Sequence, residues 1–355
     1  MSSSTDFVIY GANGYTGRLV AEQAKRLGLA PTLAGRDADA VGEIAKRLGL
    51  PCRAFGLGAP EEIDEGIRGA RLVLHCAGPY SATSRPMVDA CLRAGAHYLD
   101  ITGELRVLEA VLSRDDEARA RGVVLLPAVG FDVVPTDCMA AKLHAEMPDA
   151  TTLELAFSGG LAPSPGTAKT AVEGLHIGAL VRRDGQFVTL KAPLTREIPF
   201  GNGARFAMSI PWGDLVTAYY STKIPSITVY TVVPRAVSRM APMLRFWSPV
   251  LRVPSVVRFL QNEVEKRAKG PSAEQRATFR MWIWGRAENA AGRSVEGHLE
   301  MPEGYRLTVD AALESTRRVL SGDVASGATT PSKAFGADFV TTLPGVGEFR
   351  IERSS

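Results

Sequence analysis

Gly11, Gly14 and Gly17 stand three residues apart, in the order Gly11-Ala12-Asn13-Gly14-Tyr15-Thr16-Gly17. The apolar run Phe7-Val8-Ile9-Tyr10 precedes them, and a helical pattern over 17–27 follows. Glycines at this spacing, between a strand and a helix, make a turn that admits a pyrophosphate. Gly11 allows the tight turn, Gly14 lets backbone approach the phosphates, and Gly17 lets the helix lie close to the sheet. Asn13, Tyr15 and Thr16 fill the turn and the first helical positions. The helix N-terminus adds free N–H groups and partial positive charge.

A second strand, Thr32-Leu33-Ala34, ends in Gly35-Arg36-Asp37. An NAD site places a carboxylate here for the ribose 2′-hydroxyl. This chain places an arginine, which suits a 2′-phosphate. Gly35 leaves room, and Asp37 reads as the N-cap of the next helix, 37–48. The expected cofactor is therefore NADP(H). A third strand end, Cys76-Ala77-Gly78-Pro79-Tyr80, presents backbone without bulk, as a passing nicotinamide ribose requires.

Polar side chains for proton transfer lie near the same strand ends. Glu104, after Gly103, is the first choice, with Tyr80 and Asp132 beside it. Tyr98, Asp100 and His75 are further candidates, and His75 reads as a structural histidine. Against these roles stands a plainer one: Asp100, Glu104 and Asp132 cap helices and hold turns.

The elements that must position these groups alternate strand and helix. Further strands are expected at 72–76, 98–100 and 123–126, and a helix over 86–94 with proline near its first turn. This is a doubly wound parallel sheet of the Rossmann kind. From about Thr151 the texture changes. Strands are expected at 153–157, 186–190, 227–233, 279–285 and 294–301, with a helix over 166–181, which describes an α+β domain with a mostly antiparallel sheet. A last helix spans about 307–320. The expected division is an NADP-binding domain at 1–145, a substrate and dimerisation domain at 146–303, and a segment at 304–355 returning toward the first domain.

These blocks resemble the saccharopine dehydrogenase-like oxidoreductases. The resemblance rests on 11–18, 34–36, 77–80, Ala94-Gly95-Ala96-His97-Tyr98-Leu99-Asp100-Ile101-Thr102-Gly103-Glu104 and Gly130-Phe131-Asp132-Val133-Val134-Pro135-Thr136-Asp137. It also includes Gly304-Tyr305-Arg306-Leu307-Thr308 and Thr330-Pro331-Ser332. The likeness is dense over 6–140 and sparse afterwards. It implies a Rossmann domain, a second mixed domain covering the nicotinamide, and hydride transfer to or from a C=N or C=C bond. The family includes lysine-pathway enzymes and trans-acting enoyl reductases. Two departures matter. Residues 53–58 lack the aspartate that many relatives place beside the adenine, and the second domain looks short. A lysine-derived substrate is not favoured.

Composition sets outer bounds. The 355 residues are 45% hydrophobic and 22% charged, with net charge +3. That is ordinary globular composition, and the charge is too small to imply nucleic acid. The four cysteines form no C-x-x-C pair, so neither a metal site nor a redox dithiol is signalled, and all four read as reduced, mostly buried thiols. No apolar stretch is long enough to span a bilayer. The residues before Phe7 do not read as a leader, so a cytoplasmic location is expected.

Three features carry other readings. The stretch 235–269 holds eight basic residues against two acidic, interleaved with apolar ones. It is either a basic face packed on the second domain or a homodimer partner, or a contact for a membrane surface or an acidic carrier. Residues 159–160 and 165–170 offer Lys169 and hydroxyls that could receive an anionic group. Tyr219 and Lys223 match the pair of short-chain dehydrogenases, but Pro225 argues against helical spacing there. The leading function is an NADP(H)-dependent oxidoreductase acting on a small or carrier-bound substrate, in its sharper form a trans-acting enoyl reductase. The alternative is a non-catalytic NADPH-binding regulator or scaffold, kept open by the lack of a fixed catalytic pair.

Overall fold

The computed structural model describes residues 6–159, 163–164, 166, 178–236, 253–267 and 270–354. The chain divides into two compact units. The first takes in Met1–Phe131 with Leu307–Ala334, and the second Asp132–Arg306 with Phe335–Ser355.

The first unit runs β1 (Phe7–Tyr10), α1 (Tyr15–Arg26), β2 (Thr32–Gly35), α2 (Ala38–Leu48), β3 (Cys52–Ala54), α3 (Pro60–Gly66), β4 (Leu72–His75), α4 (Tyr80–Ala94), β5 (His97–Asp100), α5 (Leu105–Leu112), α6 (Asp115–Ala120) and β6 (Val124–Leu126). The late strand β15 (Gly327–Ala328) joins them. The sheet order is β15-β6-β5-β4-β1-β2-β3, with every pair parallel. Strands β1, β2 and β4 are buried along their whole length, as a sheet covered on both faces requires. The order reverses between β1 and β4, which sets the crevice of a doubly wound sheet at their carboxyl ends.

Local chemistry explains several boundaries. Asp37 caps α2, with its carboxylate accepting from Ala40 N at 3.0 Å. Gly49 and Gly95 end α2 and α4 in the left-handed conformation. Helix α4 begins at Tyr80, six residues before the expected start, and carries Pro86 inside it. β15 is held by Asp115, whose carboxylate accepts from Ala328 N at 2.8 Å.

The described residues of the second unit build a nine-stranded sheet, containing in order β10 (Thr195–Phe200), β11 (Gly203–Ser209), β12 (Ser226–Val232), β7 (Ala150–Phe157), β13 (Arg280–Asn289), β14 (Ser294–Pro302) and β16 (Arg350–Ser354), with β8 (Ala179–Arg183) and β9 (Gln186–Leu190) to one side. Among the described residues, only β7 and β12 pair in parallel; the other ladders are antiparallel. Helix α7 (Val134–Glu146) packs on β13 (Arg280–Asn289) and β14 (Ser294–Pro302). It fits because Gly285 and Gly297 carry no side chain: a Cβ at Gly285 would lie 2.7 Å from Leu143 and Met139. Elsewhere in the unit Trp284 is fully buried, clustered with Ala156, Ile198, Phe200, Ala207 and Tyr230.

Several sequence expectations need correction here. Ala179–Arg183 is strand β8, so the expected helix over 166–181 does not extend through it. Residues 167–177 lie outside the described residues, and so does Lys169. Residues 237–252 and 268–269 of the basic stretch lie outside them as well. Tyr219 lies in helix α8 (Asp214–Thr222), while Lys223 lies outside it, so the pair does not share one helix. Lys223 closes the helix in the left-handed conformation, with φ 61°. Cys52 is exposed rather than buried, while Cys91 and Cys138 are buried. No described helix is long and apolar enough to cross a membrane.

Candidate dinucleotide site

The glycine turn is held by the neighbouring strand. Gly11 N and Ala12 N both donate to Ala34 O, at 2.8 and 3.0 Å, and Gly14 N donates to Gly11 O at 3.0 Å. Gly11 has φ 84°, and a Cβ there would meet Ala77 at 2.8 Å. A Cβ on Gly17 would fall on Gly11 O, so α1 could not lie so close to the turn with any other residue. Helix α1 has no side-chain cap at Gly14 and no acidic residue in its first turn. Its amides and its partial positive charge thus face the crevice uncompensated by a carboxylate of that turn, which fits a pyrophosphate.

At the end of β2 the structure sharpens the reading of Gly35. Its missing side chain leaves space that Asn13 and Val41 occupy: a Cβ would lie 3.0 Å from Asn13 Oδ1 and 2.9 Å from Val41 Cγ2. Gly35 therefore serves the packing of the turn rather than leaving open room for a phosphate. Arg36 is exposed and forms no ion pair among the described residues.

The end of β4 is tied to the same turn. Cys76 N donates to Tyr10 O at 2.8 Å. Thr83 Oγ1 donates to Ala77 O at 2.6 Å and reaches Pro79 O at 3.1 Å. Gly78 is exposed, with Ala77 and Pro79 half-buried. Burial pushes the Cys76 thiol up to about 12, which keeps it protonated and unreactive.

Beneath this floor lies a buried polar network. Tyr98 Oη donates to Asp100 Oδ2 at 2.7 Å, and His75 Nδ1 lies 3.2 Å from Tyr98 Oη. Asp100 Oδ1 accepts from Thr102 N at 3.0 Å and Ala128 N at 2.8 Å, holding Ala128 at φ 61°. With the Tyr98 proton committed to Asp100, the His75 contact needs the Nδ1–H tautomer. Burial lowers His75 to about 3, so it stays neutral. Burial raises Asp100 to about 6, against the opposing effect of its three hydrogen bonds.

Glu104 is N-cap of α5, and its carboxylate reaches across to the start of α4. Oε1 accepts from Tyr80 N at 2.8 Å and Oε2 from Ser81 N at 2.7 Å. This contact starts α4 early, at a position with no local cap of its own. Tyr80 is buried, and its hydroxyl donates to His75 O at 3.1 Å. Glu104 and Tyr80 thus bond to the scaffold of the crevice. Asp132 falls in the second unit, where its backbone carbonyl accepts from Trp212 Nε1 at 2.6 Å. Just before it, Phe131 N donates to Thr308 Oγ1 at 2.9 Å, which ties the block at 130–137 to the block at 304–308.

Two residues escaped sequence reading. Glu62, from the short helix α3, accepts from Gly56 N at 2.6 Å beyond the end of β3. Ser81 supplies the second amide to Glu104. The pair Tyr219 and Lys223, although helical up to Thr222, is engaged otherwise: the Tyr219 ring receives the Arg182 guanidinium at 4.2 Å.

A parallel doubly wound sheet with this turn at its switch point defines a dinucleotide-binding domain. Residues 7–126 match the family model of the saccharopine dehydrogenase NADP binding domain. Over these residues the first unit is similar to the NADP-binding domain of saccharopine dehydrogenase, as the sequence blocks imply. A saccharopine dehydrogenase-like oxidoreductase of Homo sapiens is 31% identical over 193 residues, 47% of this chain and 45% of that protein. A trans-acting enoyl reductase of Mycobacterium leprae (strain TN) is 32% identical over 161 residues, 42% of this chain and 38% of that protein. The chain spans less than half the length of these relatives. The fold agrees with that of apo saccharopine dehydrogenase (L-Glu forming) from Saccharomyces cerevisiae, at a TM-score of 0.68 and 12% identity over 98% of this chain and 99% of that one.

Proposed function

We propose that the protein is an NADP(H)-dependent oxidoreductase that moves a hydride to or from a C=C or C=N bond of a small or carrier-bound substrate. The observation that carries this reading is the pairing of an uncapped glycine turn at the switch point with an exposed arginine at the end of β2 that forms no ion pair among the described residues. The cofactor would lie with its pyrophosphate over Gly11, Gly14 and Gly17, its 2′-phosphate at Arg36, and its nicotinamide ribose along 76–80. The cofactor supplies the hydride chemistry; the chain supplies position and electrostatics.

In this account Glu104 and Tyr80 are positioning residues. Glu104 fixes the first turn of α4, and Tyr80 fixes the end of β4, so the floor beside the nicotinamide is rigid. Asp132 remains the candidate proton donor of the set. The name of the mycobacterial relative supports the sharper version, an enoyl reductase acting on a carrier-bound chain. The expected division at 1–145, 146–303 and 304–355 gives the second part the substrate role.

The test is nicotinamide oxidation by the full chain and NADPH with enoyl thioesters, free and carrier-bound, and with imines. Turnover of an enoyl or imine substrate supports the reading. Tight NADPH binding without turnover of any of them supports the regulator or scaffold instead.

A further inference from the structure

Strands β2 and β3 pair in parallel with Gly35 opposite Ala54, and paired strands stand about 4.8 Å apart. Arg36 follows Gly35, so the end of β3 lies one strand's width from the 2′-phosphate position. Phe55 N donates to Gly35 O at 3.0 Å, and the next amide, Gly56 N, donates to Glu62 Oε1 at 2.6 Å. A Cβ on Gly56 would lie 3.5 Å from both Glu62 carboxylate oxygens, so the carboxylate lies flat along this backbone.

The contact is unusual for its position. Glu62 is the third residue of α3, where a glutamate ordinarily reaches back to the amide of its own N-cap, here Ala59. It reaches six residues back instead, to the carboxyl end of β3. The Tyr10 hydroxyl, which donates to Phe55 O at 3.2 Å, is raised to about 12 by burial and feels Arg36 and Glu62 with opposite signs. A cation and an anion therefore flank one point at the adenosine end of the crevice.

An exposed carboxylate beside a phosphate subsite opposes the phosphate unless it meets another part of the ligand. A carboxylate can only accept hydrogen bonds. Adenine has ring nitrogens that accept and a single donating group, the 6-amino group. We propose that Glu62 accepts a hydrogen bond from that amino group and selects adenine, while Arg36 selects the 2′-phosphate. This rests on the NADP(H) reading above.

The experiment titrates the full chain with NADPH and with its hypoxanthine analogue, in which a carbonyl oxygen replaces the amino group. Wild type binds NADPH about tenfold tighter than the analogue, the discrimination expected from a charged acceptor facing a lost donor. Glu62→Ala brings the two affinities to within about twofold of each other. Glu62→Gln, which keeps an acceptor oxygen, retains part of the preference. The readout is the ratio, which a general loosening of the 55–59 loop leaves unchanged. Equal affinities in wild type, or an unchanged ratio in Glu62→Ala, overturn the proposal while leaving the cofactor reading intact. Failure of folded wild type to bind NADPH at all overturns both.

Discussion

The Tyr80 amide donates to the Glu104 carboxylate at 2.8 Å, across 24 residues of chain. With the Ser81 amide at 2.7 Å on the other oxygen, one side chain supplies the missing cap of α4 and fixes the wall of the crevice after β4.

This relationship gives Glu104→Gln a specific signature. The amide puts a donor where one backbone N–H needs an acceptor, which costs about 1–3 kcal/mol of stability. Chemical denaturation checks that loss. On the proposed positioning role of Glu104, turnover falls with it while the pH profile of turnover keeps its shape. A lost acidic or basic limb in the variant's profile would restore it as an acid–base group.

Gly11 and Gly78 separate two kinds of glycine on the site floor. Gly11→Ala combines φ 84° with a Cβ 2.8 Å from Ala77, and should destabilise the free protein by about 2–4 kcal/mol. Gly78→Ala meets only the Tyr80 ring at 3.5 Å, and should stay within about 0.5 kcal/mol of wild type. Urea denaturation without ligand measures both, and similar losses would contradict the geometry.

Asp100 and His75 titrate in opposite senses. Asp100 rises from 3.8 to about 6 on folding, chiefly through burial, so its contribution is complete below 3.8 and is lost as pH rises through 6. His75 falls from 6.5 to about 3, also through burial, so its contribution is present above 6.5 and is lost as pH falls toward 3. The two slopes cancel where the windows overlap. Asp100→Asn, which keeps an acceptor for the Thr102 and Ala128 amides, exposes the His75 slope. Its stability should fall relative to wild type as pH drops across the overlap, by up to about 3 kcal/mol. Denaturation midpoints measured across that range, parallel for the two proteins, would refute the opposition.

What the sequence made legible was local. The glycine turn, the Asp37 cap and the buried strands follow from neighbouring residues, and the structure shows each of them. What it hid depends on distant partners. The start of α4 is set by Glu104, and the purpose of Gly35 by Asn13 and Val41. Helix α3 is too short for a hydrophobic period to show, so Glu62 passed unnoticed. Pro225 argues against helical spacing of Tyr219 and Lys223, and α8 does stop short of Lys223, yet the proline lies too far on to prevent a helix through Tyr219.

The central claim is that Arg36 reads a 2′-phosphate. Calorimetric titration of the full chain with NADPH and NADH, for wild type and Arg36→Ala, tests it most directly. Wild type should bind NADPH about 10- to 100-fold tighter than NADH, the worth of a charge-assisted contact. Arg36→Ala should lose most of that preference while its NADH affinity changes by less than about threefold. Equal affinities in wild type, or equal losses for both nucleotides in the variant, would contradict the account.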